Sequence, residues 1–136
     1  MSAFSEAELA YLAAQPLGRV ATSQSDGTLQ VSPVGFHHNA ELDTIDISGH
    51  GMATSRKFRN VADNGRVAFV VDDLATVTPW KPRCLEIRGH AETVDESPAG
   101  PLIRIHPERI ISFGIDEAFT SPHDQRVNSR NVAQAD

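Results

Sequence analysis

Apolar residues recur at helical spacing near the beginning of the chain. Leu9 and Leu12 fall on one face of a helix, at positions i and i+3. Ser5 and Glu8 match the S-x-x-E pattern of a capping box, in which each side chain binds a free backbone N–H group of the other residue. The pattern therefore predicts a first helix within residues 4–16, where a proline ends it.

A second helix is predicted in the middle of the chain. Thr54 and Ser55 are typical N-cap residues. Phe58 and Val61 then form a narrow apolar stripe, and Gly65 follows an asparagine in a sequence typical of a helix end.

Alternation of apolar and polar residues between turn signals predicts strands in most of the remaining chain. Asp26-Gly27 marks a hairpin. The apolar run RVAFVV is typical of a strand covered on both faces, and Pro33, which lacks an N–H group, indicates an edge or a bend. Strands are predicted at about 18–24, 28–38, 41–48, 66–73 and 83–94, with two further short strands in 101–116 that are separated at His106-Pro107.

Six or seven short strands with two helices predict a mainly β, α+β protein in the form of a small barrel. We expect one domain over residues 1–136. Residues 117–136 have almost no apolar periodicity. This tail is therefore expected to be mobile or to cross a partner subunit.

Composition excludes several classes of function. The formal net charge of -6 argues against a nucleic-acid binder. No segment approaches the ~20 apolar residues of a membrane span, and the N-terminus lacks the basic and apolar regions of a signal peptide. The single cysteine, Cys84, allows no internal disulfide. We therefore expect a cytoplasmic protein with neither a membrane nor a nucleic-acid partner.

Cations occupy the first turn of the second helix, where acidic residues are favoured. Arg56, Lys57 and Arg59 stand at the helix end that carries a partial positive charge. Gly49 and Gly51, just before them, can turn backbone N–H groups outward. Free N–H groups, hydroxyls and cations together form an anion site, so a bound phosphate would compensate for the charge. The alternative is a solvated cationic face without a ligand.

The same segment carries a family resemblance. Ser-Arg-Lys at 55–57, followed by Phe58 and then NVADNGRVAFVV, resembles the phosphate grip of the pyridoxamine 5'-phosphate oxidase-like (PPOX) flavin-binding split barrels. Gly65 stands where that family usually has a proline after the asparagine. Matching stretches cover most of residues 17–116 and are closest to the actinobacterial subgroup of coenzyme F-420-dependent oxidoreductases.

The resemblance implies a split β-barrel of the FMN-binding type, with six or seven strands and two short helices. It implies a homodimer that binds coenzyme F-420, or FMN as second choice, in a groove between the subunits. The Ser-Arg-Lys segment would hold the cofactor phosphate. The VSPVGF strand and the end of the third strand would lie along the ring system, and the PWKPRCLEI segment would face the partner's cofactor. The implied cofactor-binding residues are Ser32, Val34, Gly35, Ser48, Gly49, Ser55, Arg56, Lys57, Trp80 and Arg83.

Structural explanations compete with the functional ones for several residues. Trp80, the only tryptophan, could be a packing plug in its loop, and Arg83 could pair with a surface carboxylate. His37 and His38 are adjacent in a strand and point to opposite faces, and the histidine spacing matches no metal-ligand pattern. Cys84 has no evident thiolate activation beyond its neighbouring arginine. We therefore expect neither a metal site nor a protein nucleophile.

The predicted function is an oxidoreductase whose chemistry belongs to the cofactor. It would transfer a hydride between reduced F-420, or FMN, and a small unsaturated or conjugated substrate such as an unsaturated ketone, a quinone or a bilin. The site would be shared between two subunits, and no catalytic side chain is required. The alternative is a non-catalytic carrier of a flavin, a deazaflavin or a tetrapyrrole.

Overall fold

The computed structural model describes residues 1–115 and 126–133 of the chain. Within these ranges the chain forms two α-helices, a 3₁₀ turn and eight β-strands. The helices are α1 (Glu6–Ala14) and α2 (Arg56–Asn64), and the 3₁₀ turn is Met52–Thr54. The strands are β1 (Gly18–Ser23), β2 (Leu29–Val34), β3 (His37–Asn39), β4 (Thr44–Ser48), β5 (Arg66–Thr76), β6 (Lys81–Val94), β7 (Leu102–Phe113) and β8 (Asn128–Asn131).

The strands form one antiparallel sheet with the order β2-β1-β5-β6-β7-β4-β3. The remaining edge of β7 is shared, because β4 pairs with residues 102–105 and β8 with residues 109–112. The sheet curls strongly into a half-barrel, which confirms the predicted split barrel. Its two edge strands, β2 and β3, are separated in sequence only by Gly35 and Phe36.

The hydrophobic core lies inside the half-barrel. Large side chains with almost no exposed surface come from five strands: Val20, Ile45, Ile47, Phe69, Val71, Leu85, Ile87, Ile103, Ile105 and Ile110. Each such side chain stabilises the fold by about 1.5–3 kcal/mol relative to an exposed one. On β5, however, only Val67, Phe69 and Val71 are buried, while Ala68 and Val70 on the outer face are half-buried. The prediction of a strand covered on both faces is therefore wrong for the described part of a single chain.

The pairing of β6 with β7 contains a β-bulge. This bulge explains why the predicted break between two short strands is absent. The chain does not break at His106-Pro107, because β7 continues through both residues. Arg88 pairs with Arg109 and Gly89 with Pro107, so Glu108 is the extra residue of the bulge. A bulge is a place where a strand can accept a proline. Only glycine fits at position 89, since a Cβ there would lie 2.1 Å from the carbonyl oxygen of His106.

Other element boundaries also differ from the predictions. The single strand predicted at 28–38 is two strands, β2 and β3, and β4 begins only after Asp43, a turn residue with φ of 58°. The predicted tail, 117–136, lies partly outside the described residues, and its described part forms β8 on β7 of the same chain. In the described ranges, no helix is long and apolar enough to span a membrane.

Both helices begin and end as predicted. The backbone N–H of Ser5 donates to Glu8 Oε1 (2.9 Å), and that of Glu8 donates to Ser5 Oγ (3.2 Å), which completes the capping box of α1. Helix α2 begins after Ser55 and ends at Gly65, which adopts a left-handed conformation (φ 68°) and donates its N–H to the carbonyl of Val61. Glycine adopts this conformation at little steric cost.

The two ends of the described chain are tied together around one buried carboxylate. The Glu8 side chain, 3% exposed, accepts two hydrogen bonds from the guanidinium of Arg130 on β8 and one from the Ser112 hydroxyl on β7 (2.9 Å). Arg130 also donates to the carbonyl of Ala3 (2.8 Å). Burial raises the pKa of Glu8, but its hydrogen bonds from Arg130, Ser5 and Ser112 outweigh burial and leave the pKa below the ordinary value. The ionised carboxylate therefore stabilises the fold.

We expect Glu8→Gln to lower the free energy of unfolding by about 1–3 kcal/mol near neutral pH, because Arg130 loses its charged acceptor. A carboxyl with a lowered folded-state pKa stabilises the protein above its ordinary pKa of 4.5, and this contribution is lost as the pH falls through the folded-state value. The acid limb of a stability–pH curve, measured by urea denaturation, should therefore be shallower in the variant. Glu6→Gln, which changes an exposed carboxyl in the same helical turn, is the control, and equal losses in the two variants would contradict the assignment.

Candidate cofactor site

The start of α2 is built by short-range hydrogen bonds that leave backbone donors free of the helix. The Ser55 hydroxyl accepts the N–H of Phe58 (3.2 Å) and donates to the carbonyl of Met52 (2.7 Å). The Ser55 carbonyl accepts the N–H of Arg59 (3.2 Å). The N–H groups of Arg56 and Lys57 have no acceptor within the helix, as is usual for a first turn. Backbone donors therefore remain for an anion at this end of α2.

The cations of this turn have no carboxylate partner at hydrogen-bond distance among the described residues. Arg56 and Arg59 are exposed and Lys57 is half-buried, and the first turn contains no acidic residue. Arg56 affects the pKa of a carboxyl group, that of Asp26 in the β1–β2 turn, through its charge. The pKa of Asp26 is lowered mainly by its hydrogen bonds with Thr28 and only slightly by Arg56. The positive charge predicted to hold a phosphate is thus available.

Strand β2, close to α2, has its polarity reversed. Leu29 and Val31 point outward and are 78% and 67% exposed, while Gln30 and Ser32 alternate with them and point inward. Gln30 pairs with Thr22, whose hydroxyl accepts a hydrogen bond from Asn60 of α2 (3.0 Å), so Gln30 and α2 lie on the same side of the sheet.

Two oxygens on the inner face of β2 are orphaned. Gln30 Oε1 and Ser32 Oγ are buried and have no hydrogen-bond partner in the described structure. Each such oxygen costs about 1–3 kcal/mol unless a ligand or water supplies a partner. Because β2 is an edge strand, one of its backbone edges is also unpaired within the sheet. These groups fit a polar ligand that lies along β2.

The other predicted residues near this strand contribute mainly through their backbone. The Val34 side chain is buried in the core, so only its backbone can reach a ligand. A Cβ added at Gly35 or Gly49 would meet no atom within 4 Å, so both glycines border open space. Ser48 is half-buried at the end of β4, directly before Gly49.

Trp80 and Arg83 lie apart from the other predicted residues. Helix α2 leads into the first residue of β5, whereas Trp80 follows its last residue, and β5 is 11 residues long. At ~3.2–3.4 Å per residue, the two ends of this strand are separated by roughly 30 Å. Within a single chain, Trp80 and Arg83 therefore lie towards the opposite end of β5 from α2.

The Arg83 guanidinium is already paired. It forms a two-point ion pair with Asp73, with Nε 2.8 Å from Oδ1, and it lies over the ring of Tyr11 at 5.2 Å from the centroid. The Tyr11 hydroxyl donates to Asp73 (2.7 Å). The Arg83 hydrogen bond is the largest cause of the lowered pKa of Asp73, while burial, followed by Asp73, raises the pKa of Tyr11. The structure shows the alternative in which Arg83 pairs with a carboxylate, and its contact with a cofactor stays a prediction.

The side chains considered as a nucleophile or as metal ligands have structural roles. Burial, helped by the charges of Asp72 and Glu86, raises the pKa of the Cys84 thiol to about 11, so the thiol is neutral near pH 7. The His38 ring packs edge-on against Phe4 and bonds to Asp43 (2.7 Å). Over the described ranges, no group of three histidine, cysteine or acidic side chains could hold a metal ion.

Gln30 is the residue at this site that was not predicted from the sequence. Its signal lies in the segment LQVSPV, where either alternating set of residues could face the core. The structure places Gln30 and Ser32 inside, on the same face as the buried Val34.

A comparison with protein families shows which family the chain belongs to. The model of the pyridoxamine 5'-phosphate oxidase family matches residues 4–124, which is most of the chain. The chain belongs to this family. The family resemblance predicted from the Ser-Arg-Lys segment is thereby confirmed.

A curated relative of this family member is the 5a,11a-dehydrotetracycline/5a,11a-dehydrooxytetracycline reductase of Streptomyces rimosus. The two are 44% identical over an alignment of 140 positions, which covers 98% of this chain and 96% of the relative. The relative is named as a reductase, so the prediction of an oxidoreductase is confirmed at the level of that class.

Solved structures agree with the fold of this family member. A conserved hypothetical protein from Mycobacterium tuberculosis is similar over 90% of this chain and 96% of its own, with a TM-score of 0.69 and 18% identity. A protein described as an F420 reductase is similar over 76% of this chain and 95% of its own, with a TM-score of 0.59 and 24% identity. At these identities the likeness shows a shared fold.

We expect Ser55→Ala to lower the free energy of unfolding by about 1 kcal/mol, because α2 loses its N-cap. Thr54→Ala is the matched control, since the Thr54 hydroxyl bonds only to the carbonyl of Gly51 (3.1 Å) in the preceding turn. Urea denaturation of both variants measures the difference. A loss in Ser55→Ala no greater than in Thr54→Ala would show that the cap does not hold the start of α2.

Proposed function

We propose that this family member transfers a hydride between reduced coenzyme F-420 and a conjugated substrate, at a site shared between two subunits. FMN is the second choice of cofactor. The observation that carries the proposal is the unpaired cationic start of α2 on the same side of the sheet as the orphaned oxygens of Gln30 and Ser32. Together they present positive charge for a phosphate and hydrogen-bond partners for a polar ring system.

The residues of the chain would bind and orient the cofactor. Arg56 and Lys57 would hold the phosphate with their side chains and free backbone N–H groups, while Ser55 keeps this turn in place. Ser32 and Gln30 would bond to polar atoms of the ring system, and the backbone at Gly35 and Gly49 would border it. The cofactor, when bound, supplies the hydride. No side chain of this set needs to carry a reacting bond.

The choice of F-420 is supported by the subgroup resemblance, and the substrate class is supported by the name of the curated relative. That relative reduces 5a,11a-dehydrotetracyclines, according to its name. For the present chain we propose a substrate of the same class, which is a polycyclic compound with a conjugated carbon–carbon double bond. Its reduction would add a hydride to one carbon and a proton from solvent to the other, while the cofactor loses two electrons.

The outer face of the sheet is suited to a second copy of the chain. Leu29 and Val31 on β2 continue across β1 to Ala21, and then to Ala68 and Val70 on β5, as an apolar surface. Apolar patches of this kind on a soluble protein often mark an interface. A second subunit there would cover β5 on both faces, as its apolar run predicts.

We expect the double variant Arg56→Ala/Lys57→Ala to bind F-420 and FMN about 10- to 100-fold more weakly, because charge-assisted hydrogen bonds to the phosphate are lost. Fluorescence titration at several salt concentrations measures this. The affinity of the unmodified protein should fall as salt rises, because screening shortens the range of exposed charges to about 8 Å at physiological ionic strength.

Arg109→Ala is the control for this double variant. It removes a cation on β7 that bonds to Asn131 of β8 (2.7 Å), and it should leave cofactor affinity unchanged. Equal affinities of the double variant and the unmodified protein for both cofactors would contradict the proposed phosphate site.

We expect Val31→Lys to convert the protein from a dimer to a monomer in light-scattering measurements, because it places a charge in the apolar outer face. If the site is shared, turnover should be lost as well. Leu42→Lys alters another exposed leucine, in the turn before β4, and should remain dimeric and active. A monomeric unmodified protein, or a dimeric Val31→Lys variant, would contradict this interface.

A further inference from the structure

A cavity lies at the β5–β6 hairpin, away from the start of α2. Its volume is about 560 Å³, within the ~300–1,000 Å³ range of small-molecule sites. The lining comes from β1, β5, β6 and β7 and includes Trp80, Cys84 and Phe113. Nothing in the phosphate site or in the core requires a cavity here.

The floor and one wall of this cavity are apolar. Cys84 pairs with Phe113 across β6 and β7, and Val70 lies on the neighbouring strand β5. The Cys84 thiol is neutral, as shown above, and Asp72 lies directly across from it on β5. Trp80 is 54% exposed at the hairpin, where its ring can contact a ligand as well as the protein. This exposure does not fit a packing plug, which would be buried.

The rim of the cavity is polar, and its charged side chains form ion pairs with one another. Arg19 forms an ion pair with Asp72, and Arg83 forms one with Asp73. A guanidinium has five N–H donors, so each arginine keeps donors beyond those used by its carboxylate. A ligand with an apolar planar body and oxygen atoms along one edge would match this floor and this rim.

We propose that this hairpin cavity is the substrate pocket and that it takes a planar, polycyclic conjugated compound with enol or phenol oxygens along one edge. This inference rests on the proposed function, because it names where the substrate of that reaction binds. The cavity borders the apolar outer face, with which it shares Arg19 and Val70. For hydride transfer to occur, pairing of two chains through that face has to set the pocket of one chain beside the cofactor site of its partner.

The single tryptophan makes the pocket directly observable. Trp80 is the only tryptophan in the chain, so intrinsic tryptophan fluorescence reports on this cavity alone. We expect tetracycline, a stable polycyclic probe, to quench this fluorescence saturably in the absence of any cofactor, after correction for its own absorbance. Cyclohexenone, which has the conjugated double bond but no polycyclic body, should not saturate the signal at the same concentrations.

Substitutions at the floor separate specific binding from non-specific quenching. Cys84→Phe should fill the floor and weaken tetracycline binding at least about tenfold, whereas Cys84→Ser keeps the volume and should bind nearly as well as the unmodified protein. Leu42→Ala, remote from the pocket, should bind unchanged. If Cys84→Phe does not fold, as judged by circular dichroism, Phe113→Ala provides the second test, with an expected loss of similar size.

The outcomes distinguish this proposal from the proposed redox function. Saturable quenching that Cys84→Phe or Phe113→Ala weakens supports the pocket, whether or not F-420 and FMN bind in separate titrations. Quenching that does not saturate, or that is equal in the unmodified protein and in folded variants, overturns the pocket even if both cofactors bind. Failure of both cofactors to bind would instead count against the redox function.

Discussion

The reversed polarity of β2 is the constraint on which the rest of the structure depends. A strand at the edge of a half-barrel normally turns its apolar side chains inward, yet β2 turns Gln30 and Ser32 inward and Leu29 and Val31 outward. Both arrangements are unfavourable for an isolated chain, because buried oxygens lack partners and apolar side chains face water. Both become favourable if a polar ligand lies inside the edge and a second subunit covers the outside. In the proposed dimer, one strand would link cofactor binding to dimerisation.

Helix α2 supplies the charge that this arrangement needs, and the sheet holds the helix in place. Asn60 bonds to Thr22, and Asn64 bonds to the carbonyl of Ser23 (2.7 Å), so two side chains of α2 are fixed on β1. Gly65 then turns the chain directly into β5. The cations are therefore presented by a rigid element beside β2 rather than by a loop. A preorganised site of this kind loses little conformational entropy when the ligand binds.

Local signals in the sequence predicted the helices well and the strand boundaries less well. The capping box at Ser5 and the stop at Gly65 act through neighbouring residues, so their effect can be read from the sequence. The continuity of β7 through Pro107 depends on a bulge opposite Gly89, a long-range pairing that no local pattern encodes. The proposed phosphate site rests on the cations and glycines of the sequence and stays a prediction. The inward direction of Gln30, and the distance between Trp80 and α2, depend on the curvature of the whole sheet.

Phosphorus NMR of the cofactor tests the central claim most directly, because it observes the group that the start of α2 is inferred to bind. On addition of the protein, the phosphate resonance of F-420 or FMN should shift and broaden, and excess inorganic phosphate should reverse the change. A resonance that stays sharp and unshifted for both cofactors at saturating protein would contradict a phosphate site at Arg56 and Lys57.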